Sequence, residues 1–185
     1  MREVPKEVLL IEAWAQTALA ISAVGACERA HVGCVLTPPD LSHPIGVGYN
    51  GPAAGLPNRC ARPTEVGNCG CVHAEANACV KAPPGPKWAF ITIPPCERCA
   101  AMMVNAGVEC VVYCSESAHR GGIHAGMELL DTLGIPHGTP EQIIEQVMGA
   151  TAVDERASSQ SAFAGGEWEP EDFSAAKAQS SRFAE

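Results

Sequence analysis

The chain has 185 residues, a net charge of −9 and ten cysteines, and this length favours one domain with a core large enough to fold without disulfides. The acidic balance argues against a protein that binds nucleic-acid backbones, which would carry a basic stripe, so small substrates fit better than polymers. No signal-peptide pattern opens the chain and no apolar run approaches membrane-spanning length, so we interpret the cysteines as metal ligands in a reducing cytoplasm.

The first part of the chain predicts a helix followed by a β-hairpin. A broad apolar stripe predicts a helix over residues 5 to about 24, and Pro5 suits its first turn. Apolar and partly β-branched runs predict strands over 32–36 and 45–49, separated by a turn-rich loop. The stretch from 50 to 72 shows no regular pattern, and a loop of that length in a compact domain is usually functional.

The middle of the chain alternates helices with strands, which indicates a mixed sheet flanked by helices. Together with the hairpin, this order predicts an α/β fold, a three-layer α/β/α arrangement around a five-stranded mixed sheet. The last predicted helix is capped by Thr139-Pro140 and extends to about Met148. The other predicted elements are helices over 74–80, 99–106 and 127–133, strands over 88–93, 108–113 and 135–137, and a solvated loop over 114–126.

The composition changes at about residue 151. Residues 1–150 are therefore predicted to form one domain, and 151–185 a C-terminal tail that is flexible because it cannot bury enough apolar surface. The tail contains aromatic residues without helical or strand periodicity. The alternative is that these side chains pack on a neighbouring subunit.

Two short motifs carry the chemistry of the chain, His73-Ala-Glu75 and Pro95-Cys96-x-x-Cys99. Together they resemble the His-x-Glu…Pro-Cys-x-x-Cys signature of zinc deaminases. If a helix follows Pro95, the two cysteine sulfurs share one face of its first turn, where the positive helix end favours thiolates. The resemblance implies that His73, Cys96 and Cys99 bind Zn²⁺ and that Glu75 moves a proton from water to the ring nitrogen and the leaving ammonia.

A three-ligand set leaves one coordination position for water, as in catalytic zinc sites, whereas a structural site is closed by a fourth side chain. Cys-x-x-Cys alone is more typical of a structural zinc knuckle or a redox pair. Glu75 favours the catalytic interpretation, because a structural zinc module has no use for that carboxylate.

A second group of cysteines lies in the long loop. Cys60, Cys69 and Cys71 are close enough in sequence for a second, structural metal. The fourth ligand stays open at this point, and unpaired reduced cysteines are the alternative interpretation. The possible fourth ligands are Cys27, His31, Cys34 and His43.

Longer motifs narrow the resemblance. Gly48-Tyr-Asn-Gly51, the run from His73 to Ala78, the Pro95–Cys99 motif and residues 126–135 resemble the deoxycytidylate (dCMP) deaminase family of the cytidine-deaminase superfamily, over roughly residues 5–137. This resemblance implies a cytidine-deaminase-like fold and hydrolysis of dCMP to dUMP and ammonia, which supplies dUMP for thymidylate synthesis. It also implies a homo-oligomer, often a hexamer, with dCTP and dTTP as possible effectors.

The resemblance also implies substrate contacts. Asn50 would hydrogen-bond the substrate near its sugar or base. A phosphate-bearing substrate needs cations, and guanidinium groups match phosphate oxygens, so we name four candidate arginines and prefer the two in the long loop. These candidates are Arg29, Arg59, Arg62 and Arg120.

The sequence departs from the family pattern at three places. Ala101 stands where a lysine is usual and Pro94 where a serine is usual, and residues 115–126 contain no aromatic side chain that could stack on a pyrimidine. A 5-substituted dCMP or a nucleoside without phosphate is therefore an alternative substrate. A nucleic-acid deaminase of the tRNA adenosine type and a non-catalytic zinc module are the alternatives from other classes.

Overall fold

A computed structural model describes residues 4–65, 68–115 and 123–149 of the chain. The predicted tail over 151–185 and the candidate Arg120 lie outside the described residues. Within those residues, no helix combines the length and the apolar character that crossing a membrane requires. The elements in chain order are α1 (Lys6–Ser22), β1 (Gly33–Thr37), β2 (Gly46–Tyr49), α2 (Ala74–Cys79), β3 (Lys87–Ile91), α3 (Glu97–Asn105), β4 (Val108–Tyr113), α4 (Ile123–Thr132), β5 (His137–Gly138) and α5 (Pro140–Met148).

The five strands form one mixed sheet in the order β2-β1-β3-β4-β5. β1 pairs antiparallel with both β2 and β3, whereas β3, β4 and β5 are parallel. β2 and β3 therefore run in the same direction, and their carboxyl ends meet at the same edge of the sheet. Open α/β sheets place their sites at such an edge, and both metal motifs follow it in the chain.

Helices cover both faces of the sheet, which confirms the predicted three layers. On one face α1 and α5 bury Ile11 and Ile143 against Val112. On the other face α3 and α4 bury Met103 and Leu130 beside Val111. Val111 and Val112 are neighbours in β4, and they face opposite cores because side chains alternate along a strand.

The predicted loop over 114–126 is wrong in its last part, because α4 begins at Ile123 and not at 127. Gly126 lies inside this helix, where a Cβ atom would be only 2.1 Å from the Pro95 carbonyl oxygen. The glycine therefore provides a close packing contact and does not end a loop. Smaller shifts of one to two residues occur at the ends of other elements, and the predicted Thr139 cap of α5 is confirmed.

Candidate functional site

The short helix α2 carries the first motif. His73 is the residue before its first turn, and Glu75 lies within that turn. The helix packs unusually close to β2, since a Cβ atom at Gly48 would lie 2.2 Å from the Ala74 carbonyl oxygen. The Asn77 Nδ2 group donates a hydrogen bond of 2.8 Å to the Tyr49 carbonyl. These contacts fix the position of His73 and Glu75 relative to the end of β2.

The second motif begins α3, as the spacing predicts. Cys96 is the N-cap residue of this helix and Cys99 is in its first turn. The two sulfurs lie 3.7 Å and 3.3 Å from Nδ1 of His73, respectively. In a tetrahedral zinc site, bond lengths of about 2.3 Å to sulfur and 2.0–2.1 Å to nitrogen put these atoms roughly 3.6 Å apart. The three side chains therefore fit one zinc ion.

The two cysteines at this site differ in their readiness to ionise. Hydrogen bonds from Cys99 and then from His73 lower the pKa of Cys96 to about 3. The same contact with Cys96, together with burial, raises the pKa of Cys99 well above its usual range. The hydrogen bond to Cys96 also raises the pKa of His73 to about 8, against the opposing effect of burial. Cys96 therefore forms the thiolate that zinc requires more readily than Cys99 does.

Glu75 is buried beside the three candidate ligands, with only 4% of its surface exposed. Its carboxylate accepts hydrogen bonds from its own backbone N–H and from the Cys99 side chain. Burial raises the pKa of Glu75, although these hydrogen bonds and the nearby His73 oppose the shift. A raised pKa brings the neutral form of this carboxyl group closer in free energy to the charged form, which suits proton transfer.

Asn50 is buried, and its side chain contacts the chain segment before β1. Its Oδ1 accepts a hydrogen bond of 2.9 Å from the Val32 N–H, and its Nδ2 donates one of 2.6 Å to the Ala30 carbonyl. These bonds orient the amide and tie the end of β2 to residues 30–32. The Oδ1 atom can accept one more hydrogen bond and the Nδ2 group can donate one more. The contact of Asn50 with substrate stays a prediction.

The candidate arginines occupy different environments. Arg29 donates a 2.8 Å hydrogen bond to the Glu65 carbonyl and also contacts Cys27 and Cys69. Arg62 forms an exposed ion pair with Glu65. Arg59 is exposed on the long loop. The assignment of any of these side chains to phosphate binding remains a prediction.

A second group of possible ligands contains Cys60, Cys69 and Cys71, as predicted, and the fourth member is Cys27. The other three candidates for that place are not in the group. The sequence does not distinguish among these candidates, because the separation of Cys27 from the loop cysteines along the chain gives no information about their distance in space. The residue that reasoning from sequence missed here is Arg29, which was assigned to substrate and lies against this cysteine group.

The ionisation of this group is uneven. Burial raises the pKa of the Cys69 thiol. Hydrogen bonds from the Cys71 backbone and from the side chains of Cys71 and Cys27 outweigh this effect and lower the pKa to about 7. Burial and the contact with Cys69 raise the pKa of Cys71. The sulfurs therefore interact strongly with one another.

Part of the chain is similar to a known zinc-binding region. The model of the cytidine and deoxycytidylate deaminase zinc-binding region matches residues 10–115. The deoxycytidylate deaminase of Mycobacterium phage D29 is 32% identical over 108 aligned positions, which span 49% of this chain and 83% of the phage protein.

Solved structures of the dCMP deaminase from cyanophage S-TIM5 are also similar. The apo form is 30% identical with a TM-score of 0.57, covering 70% of this chain and 95% of the cyanophage chain. The complex with dCMP and dUMP is 28% identical with a TM-score of 0.60, covering 74% and 99% of the two chains, respectively.

Proposed function

Because the chain belongs to the cytidine and deoxycytidylate deaminase family, we propose that it hydrolyses dCMP to dUMP and ammonia. The observation that carries this proposal is the grouping of His73, Cys96 and Cys99 next to the buried carboxyl group of Glu75. The cyanophage relative, whose structure contains dCMP and dUMP, supports the choice of substrate. This chain covers 99% of that relative.

The three candidate ligands would hold one catalytic Zn²⁺ ion. One imidazole and two thiolates suit this borderline-soft metal, and the two thiolate charges balance the charge of the ion. When bound, zinc would lower the pKa of a water molecule so that hydroxide, the attacking nucleophile, is available at neutral pH. The N-terminus of α3 supports this role, since its positive end favours the thiolate form of Cys96.

Glu75 is the proposed general acid and base. Its carboxylate takes one proton from the attacking water and delivers it to the ring nitrogen of the pyrimidine, which keeps it. It then moves the second proton of that water, from the hydroxyl group added to the ring carbon, to the amino group, which leaves as ammonia while the carbonyl forms. Burial raises the pKa of Glu75, so the protonated form that must donate is less costly to form. The position of Glu75, two residues after His73 on a closely packed helix, keeps the carboxyl group beside the metal ligands.

Substrate binding is proposed to use Asn50 and arginines of the long loop. The Asn50 amide is held rigidly by Val32 and Ala30 and has hydrogen-bonding capacity left for a sugar or base. Among the described candidates, Arg59 is exposed, and we prefer it for the phosphate because Arg29 and Arg62 already contact neighbouring protein groups.

Further proposals rest on the family. The deaminase domain comprises residues 1–150, and the enzyme is a cytoplasmic homo-oligomer, a hexamer by family resemblance, that responds to dCTP and dTTP and provides dUMP for thymidylate synthesis. Exposed apolar side chains on α1, Leu9 and Leu19, suit a subunit contact. Light scattering of the purified protein, with and without dTTP, measures the subunit number; a monomer under both conditions contradicts the oligomer proposal.

The test of function is ammonia release from a panel of substrates. The zinc-loaded protein is incubated with cytidine, deoxycytidine, CMP, dCMP, 5-methyl-dCMP and the corresponding adenine and guanine compounds. We expect the highest kcat/KM with dCMP. Release from nucleosides alone would contradict the phosphate requirement, and no release from any compound would contradict the enzyme.

The role of Glu75 is tested with Glu75→Gln in the same assay. We expect a loss of about 10²- to 10⁴-fold in kcat, the usual contribution of a general acid and base. Glu97→Gln is the matched control, because Glu97 is an exposed acid that adjoins Cys96. Equal activity of the two variants would contradict the proposed role of Glu75.

A further inference from the structure

Four cysteines form a compact group apart from the proposed catalytic ligands. The Sγ atoms of Cys27, Cys60, Cys69 and Cys71 all lie within 4.8 Å of one another. Four sulfurs around one zinc ion at about 2.3 Å are roughly 3.8 Å apart, so small side-chain adjustments bring all four to one ion. Cys27, Cys60 and Cys69 are only 5%, 7% and 6% exposed, which removes the group from bulk water.

The long loop has little else to hold it in place. Residues 53–59 and 61–65 are exposed, and Cys60 and Cys69 are the buried residues among those described between 52 and 70. The cluster of Cys27, Cys60 and Cys69, with Cys71 against it, is an apolar core of its own, separate from the two cores of the sheet. Ordering some twenty residues costs more conformational entropy than the burial of four cysteines alone offsets, so a bound ion is the simplest source of stability.

The charge of the surroundings also fits a metal thiolate group. Zn²⁺ with four thiolates has a formal charge of −2, which is costly in a buried place without a nearby cation. The guanidinium of Arg29 hydrogen-bonds Cys27 and Cys69, and the same side chain donates to the Glu65 carbonyl of the loop. Arg29 therefore supplies a positive charge at the group and a second link between the loop and the domain.

We propose that Cys27, Cys60, Cys69 and Cys71 bind a second Zn²⁺ ion, that Arg29 offsets its charge, and that this closed site positions His73. Four protein ligands leave no place for water, so the ion is structural. The positioning part rests on the proposed deaminase function, whereas the metal site stands independently of it.

A short and hydrogen-bonded connection joins the cysteine group to the proposed catalytic site. Cys71 is two residues before His73, and the intervening Val72 exchanges two backbone hydrogen bonds with Gly51, of 2.7 Å and 3.1 Å. Gly51 follows Asn50, the proposed substrate contact. Fixing the Cys71 sulfur thus restricts the backbone that delivers His73 and the end of the strand that delivers Asn50.

The first experiment measures zinc by mass spectrometry of the full-length protein after exhaustive dialysis. We expect two zinc ions per chain in the wild type, one in Cys60→Ser and one in His73→Ala. Cys79→Ser is the matched control, since Cys79 is a half-buried cysteine outside both groups, and it should retain two. One ion per chain in the wild type with no change in Cys60→Ser would overturn the second site.

A second measurement does not depend on the folding of a variant. In the wild type, we expect the cysteine group to resist a thiol reagent until a strong chelator is added. Its four thiols should then react together with the two thiols of the His73 site, Cys96 and Cys99, as two zinc ions are released. Cobalt substitution should give the intense sulfur-to-metal absorption of a tetrathiolate site in addition to that of a two-thiolate site. Rapid reaction of the four thiols before chelation, without metal release, would overturn the proposal.

Positioning of His73 is tested by the affinity of the catalytic site for zinc. In Cys60→Ser, we expect at least a tenfold weaker zinc affinity at the His73 site and a lower kcat with dCMP at saturating zinc. Unchanged affinity and kcat would overturn the positioning role. Two ions per chain without ammonia release would contradict the deaminase function and leave the second site standing. Ammonia release with only one ion per chain would contradict the second site and leave the deaminase function standing.

Discussion

At the scale of single residues, Glu75 illustrates a conflict between stability and activity. Its carboxyl group is almost fully buried, and burial raises its pKa. A site built for proton transfer requires this environment, yet burying an acid without full compensation costs folding free energy. Replacement of Glu75 by glutamine should therefore lower the activity and raise the stability.

We predict that Glu75→Gln stabilises the protein once zinc has been removed with a chelator. A raised pKa means that the folded state keeps the Glu75 proton at a pH where the unfolded chain has lost it. The wild type therefore loses stability as the pH rises above about 4.3, the pKa of an unfolded glutamate. The total loss is about 1.4 kcal/mol for each pKa unit by which folding raises the pKa of Glu75. Glutamine does not titrate. Urea unfolding from pH 4.5 to 8 should show an advantage of Glu75→Gln that grows as the pH rises toward the folded-state pKa of Glu75 and is constant above it.

The control for this measurement is the exposed residue Glu97. Glu97→Gln should change the free energy of unfolding by no more than about 0.5 kcal/mol across the same range, as surface substitutions usually do. A Glu75→Gln protein that is less stable than the wild type at pH 8 would contradict the account of Glu75 burial.

Lys87 gives a second prediction at this scale. It is 1% exposed, and its Nζ group donates hydrogen bonds to the carbonyls of Gly85 and Ala106, the latter at the negative C-terminal end of α3. Lys87→Met leaves both carbonyls without this donor and should destabilise the protein by about 2–4 kcal/mol. Lys81→Met removes an exposed hydrogen bond to the Val47 carbonyl and should cost less than about 1 kcal/mol. Chemical denaturation of both variants measures the difference.

At the scale of elements, the position of α2 depends on a glycine that faces it. A Cβ atom at Gly48 would lie 2.2 Å from the Ala74 carbonyl oxygen and 2.5 Å from the Ala78 nitrogen, both in the helix backbone. Gly48→Ala should push the helix away from β2, with a cost of about 1–3 kcal/mol and a loss of about tenfold or more in kcat. Thermal unfolding and the ammonia assay measure the two effects.

Gly51 belongs to the same sequence motif and serves as the matched stability control. There the nearest atom to a built Cβ is 3.6 Å away, an ordinary contact, so Gly51→Ala should alter stability by less than about 1 kcal/mol. Equal destabilisation by the two substitutions would show that close packing of α2 is not the reason for Gly48.

A local sequence pattern predicts an element correctly when the ends of that element are marked in the same stretch of chain. The predicted β4 over 108–113 agrees with the structure, because an apolar run bounded by Gly107 and polar residues is a local signal. The start of α4 was missed, since Gly126 in a polar stretch is typical of a loop, and the Pro95 contact that explains it comes from a distant part of the chain. Tertiary packing decided that boundary.

The same distinction holds for the two candidate metal sites. The spacing of Cys96 and Cys99 predicts that they share one helix turn. The fold then places His73 next to both sulfurs. Cys27 could not be chosen from the sequence, because its neighbours in the group come from a loop without regular pattern. Arg29 could not be assigned to that group for the same reason.

At the scale of the whole molecule, net charge separates the proposed function from the nucleic-acid alternative. A charge of −9 repels phosphate backbones over long distances, whereas a single nucleotide needs only one local cation. We predict no binding of tRNA or single-stranded DNA in a fluorescence anisotropy titration at low salt. Binding that weakens steeply with added salt would contradict this prediction and favour the nucleic-acid deaminase.

The exposed connection at residues 83–86, between α2 and β3, separates the chain into two stretches that each hold an incomplete catalytic site. His73 and Glu75 precede this connection, and Cys96 and Cys99 follow it. The antiparallel pairing of β1 with β3 joins the two stretches within the sheet. A protease cut there would turn one polypeptide into a split enzyme. Because the catalytic ion must be ligated from both fragments, we expect their reassembly to tighten when zinc is supplied and to reverse when it is withdrawn.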